Sequence, residues 1–169
     1  MAEKIREVHP PRGLLRWLAR FPIWLYRAGL GWLLSGRFLM LTHIGRKSGL
    51  PRQAVLEVVQ HDKDSDTYFV AVGFGENSDW YRNILKTPDV MIHSGRRQLA
   101  ACAERLQTEA AGQIVVEYAR RHPVAIREIA RVLGYRLDGT QVDYAALGRI
   151  IPIIALRPPS EWRRTGDPT

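Results

Sequence analysis

The spacing of apolar and polar residues changes in character along the chain. Up to about residue 36, apolar residues share one side of a helical repeat, and Arg12, Arg16 and Arg20 recur every four residues on the other. After that point, short β-branched runs alternate with polar turns, which is typical of strands. The strands predicted from this pattern span residues 37–44, 52–60, 67–74, 90–93, 98–106 and 151–156, with a hairpin turn at 94–97.

Helix signals separate these strands. Ser78 can cap a helix whose first turn holds Asp79, and Pro88 follows that helix. Thr108 can cap a longer helix, which breaks at His122 and Pro123. The helices predicted in this way span residues 79–86, 108–121 and 126–133, with a single helical turn at 143–147. Strands clustered in the middle of the chain and joined by short connections favour a small antiparallel barrel over a parallel βαβ sheet.

Composition indicates one basic globular domain. Of the 169 residues, 46% are apolar and 25% are charged, and the net charge is +8. Such a charge favours an anionic partner, which is a nucleic acid, an anionic membrane surface or a phosphorylated small molecule. The arginines are dispersed and no known nucleic-acid module appears, so no nucleic-acid partner is predicted.

Cys102 is the single cysteine, which excludes an internal disulfide and a cysteine metal cluster. Such usage fits a cytoplasmic protein. Because Cys102 lies in a predicted strand of small apolar residues, we expect a buried, inert thiol. No pair of histidines has ligand spacing, so no metal site is predicted.

The N-terminal segment has two interpretations. Three arginines and Pro22 interrupt its apolar run, which argues against a membrane-spanning helix. A basic face opposite leucine and tryptophan suits a helix at an anionic membrane interface, on the inner face of the cell membrane. The same pattern suits a helix packed against the domain or a second subunit. We predict an amphipathic helical segment over 1–36, a cofactor-binding barrel domain over 37–158 and a tail over 159–169.

A basic turn connects the first two predicted strands. Gly45 and Gly49 bracket Arg46, Lys47 and Ser48. Glycine permits a positive φ, and the amides of such turns can form a nest for anions. The turn is either a pocket for a polyanionic ligand or a hairpin turn with solvated charges.

Four motifs follow one another in a fixed order: GRKSGxPR at 45–52, AVGFG at 71–75, DWYRNI at 79–84 and PDV at 88–90. Together they resemble the deazaflavin-dependent nitroreductase family of flavin/deazaflavin oxidoreductases, over residues 37–157. The resemblance implies an α+β fold, a split β-barrel of the FMN-binding type with six or so mainly antiparallel strands and flanking helices. It also implies coenzyme F420, a deazaflavin whose tail carries a phosphate and several carboxylates.

The resemblance further implies which residues contact the coenzyme. The basic loop would hold the tail through Arg46, Lys47, Ser48, Gly49, Leu50, Pro51 and Arg52. Strand residues beside the ring would be Met40, Leu41 and Thr42, together with the backbone of Ala71, Val72, Gly73 and Phe74. The helix start that closes over the phosphate and ring would be Asp79, Trp80, Tyr81, Arg82 and Asn83. Trp80 either stacks on the ring or anchors the helix, and Tyr81 is expected to pack with a hydrogen-bonding tip.

The expected activity is hydride transfer from reduced deazaflavin to a small lipophilic acceptor. Nitroimidazole-active members of the family place tyrosines around the proline that here is Pro123, and this chain has none there. We therefore expect a quinone, an unsaturated lipid or another enone-like acceptor rather than a bulky nitro compound. No catalytic residue is assigned, and the proton donor is left open among solvent, Tyr118, His122 and Tyr135. The alternatives are an FMN-dependent oxidoreductase of the same fold and a non-catalytic deazaflavin-binding protein, and a homodimer is left open.

Overall fold

Eight strands and four helices make up the fold in a computed structural model that describes residues 3–4, 37–132 and 134–159. The strands are β1 (Glu3–Lys4), β2 (Phe38–Ile44), β3 (Pro51–Asp62), β4 (Thr67–Ala71), β5 (Asp89–Ser94), β6 (Arg97–Arg105), β7 (Tyr135–Arg136) and β8 (Ile153–Arg157). The helices are α1 (Asp79–Lys86), α2 (Thr108–Arg121), α3 (Pro123–Val132) and α4 (Gln141–Ile150).

Six of the strands close into an antiparallel barrel. Their order around it is β2, β3, β4, β8, β6 and β5, with β5 pairing back onto β2. Strand β8 comes from the end of the described chain and lies between β4 and β6, where Leu156 pairs with both Tyr68 and Ala103. The barrel and its flanking helices confirm the predicted α+β split-barrel class.

Period-two alternation sorts the barrel side chains into two clusters. The interior cluster includes Leu39 and Leu41 of β2, which are both fully buried, and Tyr81 of α1 packs into it. The second cluster lies on the outer face of β3, β4 and β8, where residues such as Phe69 and Ile153 pack against α2, α3 and α4. Helices α2, α3 and α4 therefore cover one side of the barrel, whereas side chains of α1 pack into the interior cluster.

Helices α2 and α4 cross with their backbones in contact. A Cβ added to Gly148 would lie 2.7 Å from the Cα of Gly112 and 2.8 Å from the carbonyl oxygen of Ala111. Both distances are shorter than van der Waals contact, so this crossing requires a glycine at residue 148.

The structure corrects several sequence-based expectations. Helix α3 begins at Pro123 rather than at residue 126, because the first helical position does not need the N–H that proline lacks. Helix α4 has ten residues rather than a single turn, and the Thr140 side chain caps it by accepting from the Asp143 amide. The residue before α2 is Gln107, so Thr108 is its first residue and not its cap. Strand β4 ends at Ala71 rather than near residue 74.

Cys102 is exposed, so the expectation of a buried thiol was wrong. It lies on β6, where it pairs with Asp89 and Arg157. Its neighbour Ala101 belongs to the interior cluster and Ala103 packs against it, so the alternation of the strand turns Cys102 outward.

Most of the predicted N-terminal segment lies outside the described residues, and so do residues 160–169 of the predicted tail. The described part of the segment is β1, which pairs with β7, and no sequence signal predicted either strand. Within residues 3–4, 37–132 and 134–159, no helix is long and apolar enough to cross a membrane.

Candidate functional site

The basic loop is a tight turn between β2 and β3. The Gly45 amide donates to the Leu50 carbonyl at 2.9 Å, and the Gly49 amide donates to the Gly45 carbonyl at 2.8 Å. Gly49 has a φ of +67°, in the region that glycine tolerates best. Lys47, Ser48 and Leu50 are exposed at the tip, so their polar groups face solvent and any ligand that approaches it.

Arg46 connects this loop to helix α1. Its backbone amide and its Nη1 both donate to the Asn83 side-chain oxygen at 3.0 Å. Its guanidinium also forms an ion pair with Asp79 at 2.9 Å and donates to the Asp79 carbonyl at 3.3 Å. These contacts engage the Arg46 side chain within the protein, so it fixes the position of the loop.

A buried polar pair lies behind Arg46. His43 and Asn83 are 4% and 5% exposed, and the Asn83 Nδ2 lies 3.1 Å from the His43 Nδ1. Lys86 adds a bond from its amine to the Arg46 carbonyl at 3.0 Å. Burial, the largest influence, lowers the pKa of His43 from its usual 6.5.

Sequence reasoning missed both His43 and Lys86 as parts of this cluster. A signal for His43 was present, because residues 39, 41 and 43 alternate onto the inner face of β2. No local signal indicates that Lys86 bonds to the loop, since its partner lies forty residues away in the sequence.

Two cations of the loop remain directed to solvent. Lys47 and Arg52 are exposed, and neither forms an ion pair within the part of the chain that the structure describes. Arg82 of α1 is exposed as well and donates to the Glu76 carbonyl and to the Asn77 side chain. An ammonium, a guanidinium and the Ser48 hydroxyl are the donor set that phosphates and carboxylates prefer, so the loop fits a polyanionic ligand.

The predicted strand residues separate into two faces. Met40 and Thr42 lie on the outer face of β2, in register with Val55 and Gln53 of β3. Leu41 and Val72 belong to the interior cluster, so only their backbone can border a ligand, and the Val72 amide already donates to the Pro152 carbonyl at 2.9 Å.

The remaining predicted positions flank the start of α1. Phe74 is 40% exposed beside Gly73, whereas Ala71 packs against the helix-covered cluster. Trp80 packs against the interior cluster and contacts the edge of Tyr81, with ring centroids 6.2 Å apart. Tyr81 is 1% exposed, and its hydroxyl accepts from Arg105 at 2.9 Å. Both aromatic rings therefore anchor α1 to the barrel.

The three candidate proton donors lie apart from the loop. The Tyr118 hydroxyl donates to Glu57 at 2.8 Å, and burial together with this carboxylate raises the pKa of Tyr118. His122 is exposed at the end of α2, and Tyr135 is half-buried in β7. None of them contacts α1 or the loop through a described hydrogen bond or ring contact.

Two other features can be set aside. A cavity of about 400 Å³ lies between Gly112 and Val116 of α2 and Ala145 of α4, and no residue of the loop or of α1 lines it. Within residues 3–4, 37–132 and 134–159, no group of histidine, cysteine and carboxylate side chains is arranged to hold a metal ion.

Comparison with known proteins relates this geometry to a family. The model of the family described as F420H2-dependent quinone reductase matches residues 19–130, which include β2 to β6, the basic loop and the whole of α1.

The chain is also similar to solved structures. One, an F420-H2 dependent reductase (FDR-A), is 20% identical over 73% of this chain and 96% of its own, with a TM-score of 0.48. A second, described as a domain-swapped dimer, is 19% identical over 86% of this chain and all of its own, with a TM-score of 0.50. A conserved hypothetical protein from Mycobacterium tuberculosis is 15% identical over 84% of this chain and 88% of its own, with a TM-score of 0.52. The second and third show that the fold is shared.

Proposed function

Because the chain belongs to the F420H2-dependent quinone reductase family, we propose that it transfers a hydride from reduced coenzyme F420 to a quinone. The observation that carries the proposal is that the matched residues 19–130 contain the loop with its exposed cations and the helix that holds it. When bound, the deazaflavin supplies the hydride, and the protein supplies binding and orientation.

Each part of the loop has a separate task in this proposal. Lys47 and Arg52 bind the phosphate and carboxylates of the tail through charge-assisted hydrogen bonds. Arg46 and Asn83 hold the loop against α1, so that little ordering is needed when the tail arrives. The outer face of β2, at half-buried Thr42 beside buried Met40, borders the ring and orients it towards the acceptor.

The choice of coenzyme can be tested by fluorescence titration with oxidised F420 and with FMN. We expect F420 to bind at micromolar affinity or better, about 8 kcal/mol, and FMN to bind at least about tenfold more weakly. The difference arises because FMN carries a single phosphate, whereas the F420 tail offers more negative groups to Lys47 and Arg52. Equal or tighter binding of FMN would favour the FMN-dependent alternative.

The role of the loop can be tested with matched variants. Lys47→Ala and Arg52→Ala should each weaken F420 binding by about 1–3 kcal/mol, and the loss should shrink when the oligoglutamate tail is trimmed. Lys63→Ala and Arg96→Ala are suitable controls, since both cations are exposed in turns at the other ends of β3 and β5. If all four variants bind like the parent, the loop is a solvated turn.

The acceptor is proposed from the start of α3. Val124 is 71% exposed after Pro123, and Ala125 is small, so no bulky ring occupies this position. We expect a menaquinone analogue to be reduced with at least about tenfold higher kcat/KM than a bicyclic nitroimidazole, or about 1.4 kcal/mol in transition-state free energy. Tight coenzyme binding without turnover of any quinone or enone would favour the non-catalytic alternative.

We extend the proposal to location and assembly. The basic face predicted for the segment over 1–36 supports contact of a cytoplasmic protein with an anionic membrane surface, where lipophilic quinones are concentrated. A structural neighbour described as a domain-swapped dimer makes a homodimer worth testing by analytical ultracentrifugation. A single species with the mass of one chain at micromolar concentration would exclude the homodimer.

A further inference from the structure

The hydrogen bonds around Asn83 indicate which ring nitrogen of His43 carries the proton. The Asn83 oxygen accepts from two donors of Arg46, its amide and its Nη1, so the amide group cannot be turned the other way. Its Nδ2 therefore faces the Nδ1 of His43 at 3.1 Å. A carboxamide nitrogen can only donate, so the His43 Nδ1 must be an unprotonated acceptor, with the ring proton on Nε2.

We propose that neutral His43 is a positioning residue for the basic loop, so that coenzyme affinity falls when His43 takes up a proton. This inference rests on the proposed function in one respect, namely that the loop holds the coenzyme. His43 acts through Asn83 and Arg46 and makes no direct contact with the ligand.

Protonation of His43 would add a hydrogen-bond donor to a cluster in which every acceptor is already used. A proton on Nδ1 would place an N–H against the N–H of Asn83. If Asn83 rotated its amide to offer oxygen to His43, its nitrogen would instead face the Arg46 amide and guanidinium, and two bonds would be lost. Because His43 and Asn83 are buried, water cannot replace these bonds, and the loop must move away from α1.

Charged groups on the neighbouring elements act on His43 in both directions. Burial, the largest influence, lowers the pKa of His43, a backbone hydrogen bond with Ile44 and the charge of Asp79 on α1 raise it, and Arg52 of β3, its register partner, lowers it. Lys86 and Arg46 are further cations on the loop side of Asn83. The titratable group of β5 in register with β2 is His93, which pairs with Met40 and so faces the opposite side of the sheet.

Burial is the largest of these influences, and the pKa of His43 lies below 6.5. His43 is therefore neutral near pH 7, and the loop is held. As the pH falls through the pKa of His43, the proportion of molecules with the loop in place decreases, and the affinity falls with it.

The first test is a comparison of coenzyme binding in the parent and in His43→Asn, from about pH 8 to about pH 5. The asparagine oxygen can replace the Nδ1 acceptor and does not titrate. The ratio of the parent Kd to the variant Kd should be constant near neutral pH and should rise about tenfold for each pH unit below the pKa of His43. Ionisation of the coenzyme affects both proteins and cancels in the ratio, and His122→Asn, which alters an exposed histidine, should keep the parent profile.

The second test needs no coenzyme. Nitrogen NMR of the imidazoles should show His43 with its proton on Nε2 and a pKa below 6.5. Asn83→Asp keeps an oxygen for Arg46 but places a second oxygen at His43, so it should raise the pKa of His43 above 6.5. This reversal would not follow from a merely structural role.

The outcomes separate this inference from the proposed function. A Kd ratio that stays flat as the pH passes through the pKa of His43 measured by NMR, or a His43 proton on Nδ1, would overturn the positioning role. If F420 fails to bind at any pH while NMR shows the expected tautomer, the assignment of the coenzyme is wrong, although the contact between His43 and Asn83 stands.

Discussion

Adjacent residues of the basic loop have different physical roles. Arg46 is turned back onto α1, where it pairs with Asp79 and Asn83, whereas Lys47 beside it is exposed. We expect Arg46→Ala to lower the free energy of unfolding by about 1–3 kcal/mol, because it removes charge-assisted bonds and leaves Asn83 short of a donor. Lys47→Ala should change it by less than about 0.5 kcal/mol. Urea unfolding followed by circular dichroism measures both, and equal effects would contradict the assignment.

Tyr118 offers a test of the proton donor. Its raised pKa and its bond to Glu57 make it a weak acid at neutral pH. We therefore expect Tyr118→Phe to retain turnover within a small factor. Loss of a general acid would instead lower the rate by about 10²–10⁴-fold. The control is Glu57→Gln, which keeps an acceptor for the hydroxyl, and a hundredfold loss of kcat in Tyr118→Phe alone would identify Tyr118 as the donor.

At this scale the sequence indicates residue types but not their partners. The positive φ of Gly49 was predictable, since glycine is the residue that most readily adopts this conformation in a short turn. The direction of Arg46 was not, because Asn83 and Asp79 reach it from a distant element. Cys102 was assigned to the wrong face because the run around it is apolar at every position, so no alternation marks the inner side.

The close contact between α2 and α4 leads to a prediction about stability. Gly148→Ala should lower the free energy of unfolding by about 1–3 kcal/mol, since the new methyl group meets the backbone of α2 at less than 3 Å. This loss occurs although alanine favours a helix over glycine by about 1 kcal/mol. Gly112→Ala should lower the free energy of unfolding by less, because the new Cβ would lie 3.3 Å from its nearest neighbour, the Ala145 carbonyl oxygen. Thermal unfolding ranks the two variants, and the reverse order would contradict the described crossing.

The elements were predictable where the chain alternates or where a cap is visible. Helix α1 spans the predicted residues 79–86, between Ser78 and Pro88. The Ser78 hydroxyl, however, donates to the Gly75 carbonyl at 2.8 Å and does not cap the helix. Helix α4 was underestimated, since Gly148 weakens the helical pattern, and the packing against α2 that favours the full helix joins residues distant in the sequence. The pairing of β1 with β7 had no signal, because strands of two residues show no periodicity.

For the whole molecule, the net charge of +8 leads to a test of membrane contact. The combined change of Arg12, Arg16 and Arg20 to Gln should weaken binding to vesicles that contain anionic lipid, by about 1 kcal/mol for each residue near the surface. Binding of the parent should fall with added salt. The matched control changes three other arginines to Gln, namely Arg120, Arg121 and Arg149, which are exposed on α2 and α4. Equal losses in both triple variants would indicate that only the total charge matters.

The barrel class followed from the clustering of short strands, but the strand order did not. Strands β2 to β4 form a meander and β5 and β6 form a hairpin, both of which sequence-local pairing anticipates. The pairing of β8 with β4 and β6 depends on contacts between residues far apart in the chain, and no local pattern encodes them.

The position of β8 has a consequence for synthesis on the ribosome. The meander and the hairpin can form as they emerge, but the bonding edges of β4 and β6 stay unpaired until residues 153–157 have left the exit tunnel. Each nascent chain therefore exposes two open edges from the emergence of β6 until β8 follows, and neighbouring chains on a polysome could pair through them. Slow codons before this strand would prolong that interval, so the demand for nascent-chain chaperones should depend on how quickly the last part of the message is read.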